Sequence, residues 1–249
     1  MGPGVGRARL LLCRERMGRG VWVGALVSAL VWGGAAEAAN KATATKRATP
    51  VVLAERALWR AKSWVGLTTL ASVSQTMNDD CSGMARLAFQ QRRLDLLPDD
   101  VMPEENGVTA IHRKAQALGM LTEAPTPGAL VFFKETFDRN RDGLINDGLT
   151  HIGIVERVGA DGTVTFVHKS GGLVKRSRFN LLQPEARRDE KGRVVNDWLR
   201  RKGKKTRGYL AGELVAGFAA VDERWRSPEP QQRLASVQFV KGDATGARR

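Results

Sequence analysis

Asn78-Asp79-Asp80-Cys81-Ser82-Gly83-Met84-Ala85-Arg86-Leu87 sets a cysteine directly behind two carboxylates at the start of an amphipathic run. Met84, Ala85, Leu87 and Ala88 recur at helical intervals, which makes Asp80 the expected N-cap and puts Cys81 in the first turn. The unpaired N–H groups and the positive dipole end there favour a thiolate, the form of cysteine that attacks carbonyl carbon. A buried structural cysteine is the competing reading. Two observations weigh against it. The only other cysteine, Cys13, lies in a segment expected to be removed, and an odd thiol in an exported protein is an oxidation hazard unless it does chemistry. Of three histidines in the chain, two fall on consecutive strand-like segments downstream.

Export is read from Arg19, the apolar run from Val21 to Trp32, and the small residues of Ala36-Glu37-Ala38, the layout of a signal peptide cleaved after Ala38. The apolar core is short for a membrane-spanning helix. Residues 1–38 are therefore expected as a signal peptide and 39–49 as a flexible leader, giving a periplasmic or secreted protein without a membrane partner after cleavage. The chain carries a formal charge of +14, of which +11 remains once the five Arg and two Glu of residues 1–38 are removed. Such a field draws a protein to anionic cell-envelope polymers. Nucleic acid is not an expected partner, because no recognition motif or aromatic platform accompanies the charge.

Thr49-Pro50 reads as an N-cap and first-turn proline, and Ala54, Ala57, Leu58, Ala61 and Trp64 keep helical spacing. A second helix is expected from Cys81 to about Arg93 and a third from Val108 to Leu118, closed by Gly119. His112, on that third helix, is read as a surface or core-edge residue without chemistry. From Pro125 the texture changes to strands: residues 129–133, 150–158, 163–169 and 173–179, with Gly159-Ala160-Asp161-Gly162 as a hairpin signal. Helices followed by an antiparallel sheet spell α+β, with 50–182 as the domain. Residues 183–208, with ten basic against four acidic side chains, read as a solvated basic loop or insertion. Residues 209–226 return to helical spacing through Leu210, Leu214, Val215 and Phe218, and 227–249 form a mobile tail.

Period-2 alternation puts His151, Gly153 and Val155 on one strand face, and Val164, Phe166 and His168 on one face of the next. A hairpin loop over residues 158–161 would pair Arg157 with Gly162 and His151 with His168. Directly opposed side chains are close enough for one imidazole to orient the other. A thiol hydrolase needs a base that takes the thiol proton and returns it to the leaving amine, and a third group that fixes the base's tautomer. His151 would be the base and His168 the orienter.

Asp80-Cys81-Ser82-Gly83, Pro127-Gly128-Ala129-Leu130-Val131-Phe132-Phe133, Thr150-His151-Ile152-Gly153-Ile154 and Phe166-Val167-His168-Lys169-Ser170, in that order, resemble the NlpC family of cell-wall cysteine peptidases. The resemblance covers about residues 50–182. It implies a papain-like fold, N-terminal helices with the nucleophile helix packed on an antiparallel sheet, and a catalytic set of Cys81, His151 and His168. It also implies hydrolysis of amide bonds in peptidoglycan peptide stems; the chain itself is read as a monomer. Ala129 stands where many relatives carry an acid, and the family's tyrosine upstream of the nucleophile is missing, since Tyr209 is the only tyrosine. The Cys81 backbone N–H and Asn78 are then expected to hold the oxyanion.

Between the third predicted helix and His151 lies Asp138-Arg139-Asn140-Arg141-Asp142-Gly143-Leu144-Ile145-Asn146-Asp147. Oxygens at its first, third and fifth positions, glycine at the sixth and an apolar eighth begin an EF-hand-like loop, in which Asp138, Asn140, Asp142, Leu144 through its backbone, and Asp147 would hold a structural calcium. Leu149 replaces the closing glutamate, and a plain Asp/Asn/Gly turn is the alternative. No cofactor is required for the chemistry. The rivals to an endopeptidase are a CHAP-type N-acetylmuramoyl-L-alanine amidase and a non-catalytic, calcium-ordered wall-binding domain.

Overall fold

The computed structural model describes residues 50–91, 93–200 and 207–226. The expected signal peptide, leader and tail lie outside the described residues. Three helices come first: α1 (Pro50–Ser63), α2 (Cys81–Phe89) and α3 (Gly107–Ala117). Asp80 caps α2, its Oδ1 accepting the Gly83 N–H at 2.7 Å, and Asn106 Oδ1 caps α3 by accepting from Val108 and Thr109 at 2.9 Å. The second helix is shorter than its sequence suggests. Gln90 leaves helical dihedrals, and Arg60 Nη1 donates to the freed Ala88 and Gln90 carbonyls at 3.1 and 2.8 Å.

The strands are β1 (Leu121–Thr122), β2 (Leu130–Lys134), β3 (Leu149–Val158), β4 (Thr163–Ser170), β5 (Leu173–Asn180), β6 (Trp198–Arg200), β7 (Tyr209–Leu210) and β8 (Val215–Ala219), with a single-turn helix α4 (Ala211–Leu214) before the last. One antiparallel sheet runs β1-β8-β2-β3-β4-β5, and β6 pairs with β7 separately. The architecture is therefore α+β. Leu130, Phe132, Ile152, Ile154 and Val167 face the core under the helices, among Leu53, Met84, Phe89 and Ile111. Val131, Phe133, Val155, Phe166 and Phe179 fill the opposite face with Leu214 and Phe218. A strand buried on both faces reads as a continuous apolar run, which is what residues 130–133 are.

Two expectations for the C-terminal third are corrected. Residues 209–226 do not form a helix: Leu210, Leu214 and Phe218 recur every four residues only because one helical turn runs directly into β8. The fully buried β2 needs hydrogen-bond partners on both edges. β3 supplies one side, and β8 supplies the other through Leu130 paired with Ala219 and Val131 with Phe218. Consequently 50–182 is not the whole folding unit, because the strand between β1 and β2 comes from beyond it. Nor is 183–208 simply a solvated loop. Asn196 is fully buried, its Nδ2 donating to the Gln183 and Ala186 carbonyls and its Oδ1 accepting from the Asn180 and Gly212 N–H groups. A chain ending at residue 208 strips both polar and apolar partners from β2, so we expect it to lose cooperative thermal unfolding, measured by circular dichroism, whereas a chain ending at 226 keeps it.

Candidate functional site

The entry to α2 is held by backbone and charge. A Cβ on Gly83 would lie 1.9 Å from the Asn78 carbonyl oxygen, so the loop before Cys81 closes over the first turn only with glycine there. Asp79 Oδ1 accepts the Leu70 N–H at 2.6 Å and lies 3.3 Å from Lys169 Nζ, which also donates to the Thr68 carbonyl at 2.9 Å. The Leu70 N–H, ahead of Lys169, holds the Asp79 carboxyl below the usual range. Lys169 is 4% exposed. It ties residues 68–79 to β4 one position after His168, a positioning role that an alternating strand pattern does not announce.

His151 and His168 meet directly. His151 Nε2 lies 2.6 Å from His168 Nδ1, and His168 Nε2 lies 3.0 Å from Ser177 Oγ. Their register differs from the expected one. Ile154 pairs with Val167 and Val155 with Phe166, and a bulge follows before Arg157, so continuing the ladder sets Gly153 rather than His151 opposite His168. The shift is two residues. An even shift keeps every side chain on its face, and a diagonal neighbour is still within reach of a long side chain. Gly153 makes the diagonal passable, since a Cβ there would lie 2.7 Å from Phe166 Cδ2 and 3.4 Å from His168 Cβ.

The hydrogen bonds select a tautomer. If His151 Nδ1 is to accept a proton, its Nε2–H donates to His168 Nδ1, and His168 Nε2–H then donates to Ser177 Oγ. His151 Nδ1 has no hydrogen-bond partner among the described residues, and the ring lines a cleft of about 310 Å³ with Thr136, Phe137 and Lys169. Cys81 is half-exposed as a residue while its thiol is enclosed. The backbone N–H of Ile152, next to His151 in the chain, acts on the thiol to favour its anion. Among the described residues no hydrogen bond joins the sulfur to either ring.

Burial sets the electrostatics. It pushes the Cys81 thiol up to about 11, with the Asp80 carboxylate acting in the same direction against the Ile152, Ser82 and Cys81 N–H groups. The expected lowering of the thiol by the helix N-terminus is thus overturned, and the cap itself contributes. Burial, followed by Lys175, takes His151 down to about 4, against a small opposing effect of Asp80. Burial also takes His168 well below its ordinary range, with His151 and Lys175 adding to it. The thiol and both imidazoles are therefore neutral near pH 7.

The residues of the 138–147 loop turn inward on backbone. Asp138 Oδ2 accepts the Gly143 N–H, Asp142 Oδ1 accepts the Leu144 N–H, and Asp147 accepts from Arg139 and Asn140. Among the described residues no group of three or more His, Cys, Asp or Glu side chains converges as a metal site, so the three carboxylates of the expected donor set, Asp138, Asp142 and Asp147, are not gathered around one point. Asp138 Oδ1 is nonetheless buried without a hydrogen-bond partner. His112 packs edge-on against Phe132, ring centroids 5.1 Å apart. The guanidinium groups of Arg200 and Arg207 lie 3.9 and 4.3 Å from the Tyr209 ring centroid, and Asn78 is exposed. Ser177 and Lys169 are the site residues that the sequence pattern does not single out.

Compared with known proteins, the chain matches no family model, no curated protein and no solved structure. Among the described residues no helix is long and apolar enough to cross a membrane.

The depressed imidazole of His151 has a measurable consequence. Unfolded histidine takes up its proton as pH falls below about 6.5, while the native ring resists until about 4, so the native state loses stability across that window as pH falls. His151 alone contributes about 3 kcal/mol of this acid loss, and His168 acts in the same direction. Denaturant unfolding of the His151→Gln, His168→Gln double variant should show a flatter pH dependence between 7 and 4. An unchanged slope would mean that both rings titrate normally.

Proposed function

We propose that the protein is an exported cysteine hydrolase of papain-like fold that cuts amide bonds in the peptide stems of peptidoglycan, with Cys81 as nucleophile, His151 as base and His168 as its orienter. The observation that carries the reading is the His151 Nε2 to His168 Nδ1 hydrogen bond, which leaves His151 Nδ1 directed away from its orienter, while the Ile152 N–H beside His151 acts on the Cys81 thiol. As Cys81 Sγ attacks the carbonyl carbon, its proton passes to His151 Nδ1. The imidazolium so formed is stabilised through Nε2 by His168 and protonates the departing amine nitrogen, leaving a thioester. Water, deprotonated by the same nitrogen, then releases the acid. Backbone N–H groups at the start of α2 are the donors available to the oxyanion. The resting pair is neutral, so proton transfer accompanies attack instead of preceding it.

Cys81→Ala should abolish release of muropeptides from purified peptidoglycan, followed by mass analysis, while leaving sedimentation with the polymer intact. His168→Gln should retain part of the rate, because an amide oxygen can still receive the Nε2–H of His151. Unchanged release by Cys81→Ala would remove the hydrolase reading. The high thiol favours a second reading, a wall-binding domain without catalysis. The two differ in whether any fragment is released, and fragment masses separate stem cleavage from amidase cleavage at the lactyl–L-alanine bond.

For the 138–147 loop, the buried and unpartnered Asp138 Oδ1 is the one feature that suits a cation. Binding would require Asp142 and Asp147 to exchange backbone N–H groups for the ion. The ion's contribution would be rigidity in the segment leading to His151, four residues beyond Asp147. Calcium should raise the melting temperature of the native chain and leave that of Asp138→Asn unmoved. A melt insensitive to both calcium and EGTA would remove the site.

A further inference from the structure

A cavity of about 860 Å³ opens along the outer edge of β5 and against β6. Its cations are unevenly satisfied. Arg176 is paired with Glu156 and Arg207 with Glu213, each at 2.6 Å. Lys175, Arg178 and Arg187 also line it and make no ion pair among the described residues. The one acid in the wall, Asp197, has an oxygen engaged by the Arg178 N–H at 2.8 Å. Trp198 is 46% exposed, with the Arg187 guanidinium 5.8 Å from its ring centroid. Unpaired cations held around one hollow repel one another, and a bound anion removes that repulsion. An exposed indole beside them offers a flat apolar face.

We propose that this cavity binds an anionic glycan, a saccharide polymer bearing carboxylate or phosphodiester groups, with Lys175, Arg178 and Arg187 on the anionic groups and Trp198 against a sugar ring. Trp198 is the single aromatic residue of the wall, whereas single-stranded nucleic acid is held by several aromatic platforms for successive bases. The hollow adjoins the histidine pair: Ser177 in its wall is hydrogen-bonded to His168 Nε2, and Lys175 is paired across the sheet with His168. A polymer seated there lies two side chains, Ser177 and His168, from the proposed base. The inference rests on the hydrolase reading only in expecting an envelope polymer; binding itself does not use the Cys81 thiol.

The test uses the full chain carrying Cys81→Ala, so that nothing is cut, and isothermal titration against four probes: polygalacturonate, poly(glycerol phosphate), neutral dextran and a thymidine oligonucleotide. Binding to either or both anionic glycans, weakened by added salt, with none to dextran, is the expected result. The better of the two glycans then distinguishes carboxylate from phosphodiester. Arg178→Gln with Arg187→Gln should weaken that binding about tenfold or more, whereas Arg56→Ser with Lys134→Ser, which removes the same charge elsewhere, should not. Trp198→Ala should weaken it as well. All five substituted positions are exposed, and melting curves verify that each variant is folded. Equal losses in both charge variants would overturn the site in favour of diffuse attraction, as would indifference to Trp198→Ala or tighter binding of the oligonucleotide. Loss of muropeptide release alone leaves this proposal standing, and loss of glycan binding alone leaves the hydrolase reading standing.

Discussion

Two imidazoles packed against phenylalanine rings can be buried only if each satisfies the other. Phe133 lies with its ring centroid 6.0 Å from that of His151, and Phe166 4.7 Å from that of His168. In that apolar setting a lone ring nitrogen would be costly to desolvate, and the chain from His151 through His168 to Ser177 removes most of the cost. The requirement propagates outward. Gly153 must stay without a side chain, β5 must bring a hydroxyl to position 177, and β4 must hold its register with β5 from Thr163 to Ser170.

The same dryness reshapes what a cysteine at a helix N-terminus means. A dipole and a few N–H groups favour the anion, but the desolvation of an enclosed sulfur is larger here, and the Asp80 carboxylate that caps the helix adds to it. Capping geometry and thiol activation therefore pull against each other in this turn. Lys169 and Asp79 form the counterpart at the other end of the loop, where a buried ammonium meets the Asp79 carboxylate and the Thr68 carbonyl while the Leu70 N–H donates to that carboxylate. Position is secured by charge at one side, while the sulfur itself remains neutral.

Much of this was legible in the sequence because it follows from local patterns. Asp80 as a cap, the start of α2, the apolar run of β2 and the shared face of the two histidines all come from spacing alone. The histidine pairing survived a misplaced hairpin loop because faces repeat every two residues, and the bulge between Val155 and Arg157 left no mark in composition. What was not legible depends on distant partners. Ser177 is one small polar residue among Lys175, Arg176 and Arg178, and only its contact with His168 distinguishes it. β8 was hidden because a four-residue recurrence of Leu210, Leu214 and Phe218 fits a helix as well as it fits a turn followed by a strand. Asn196 looked like part of a charged loop, yet it holds that loop to the sheet from a fully buried position.

The placement of β8 also fixes when the molecule can become itself. Ribosomes make β1 and β2 about ninety residues before the strand that lies between them, so during synthesis the inner edges of both stay open and the sheet cannot close. Pairings this remote in sequence form late and slowly, after loop-closure entropy has been overcome. A nascent chain is thereby kept pliable until β8 emerges, and the sheet closes only once most of the polypeptide is already made.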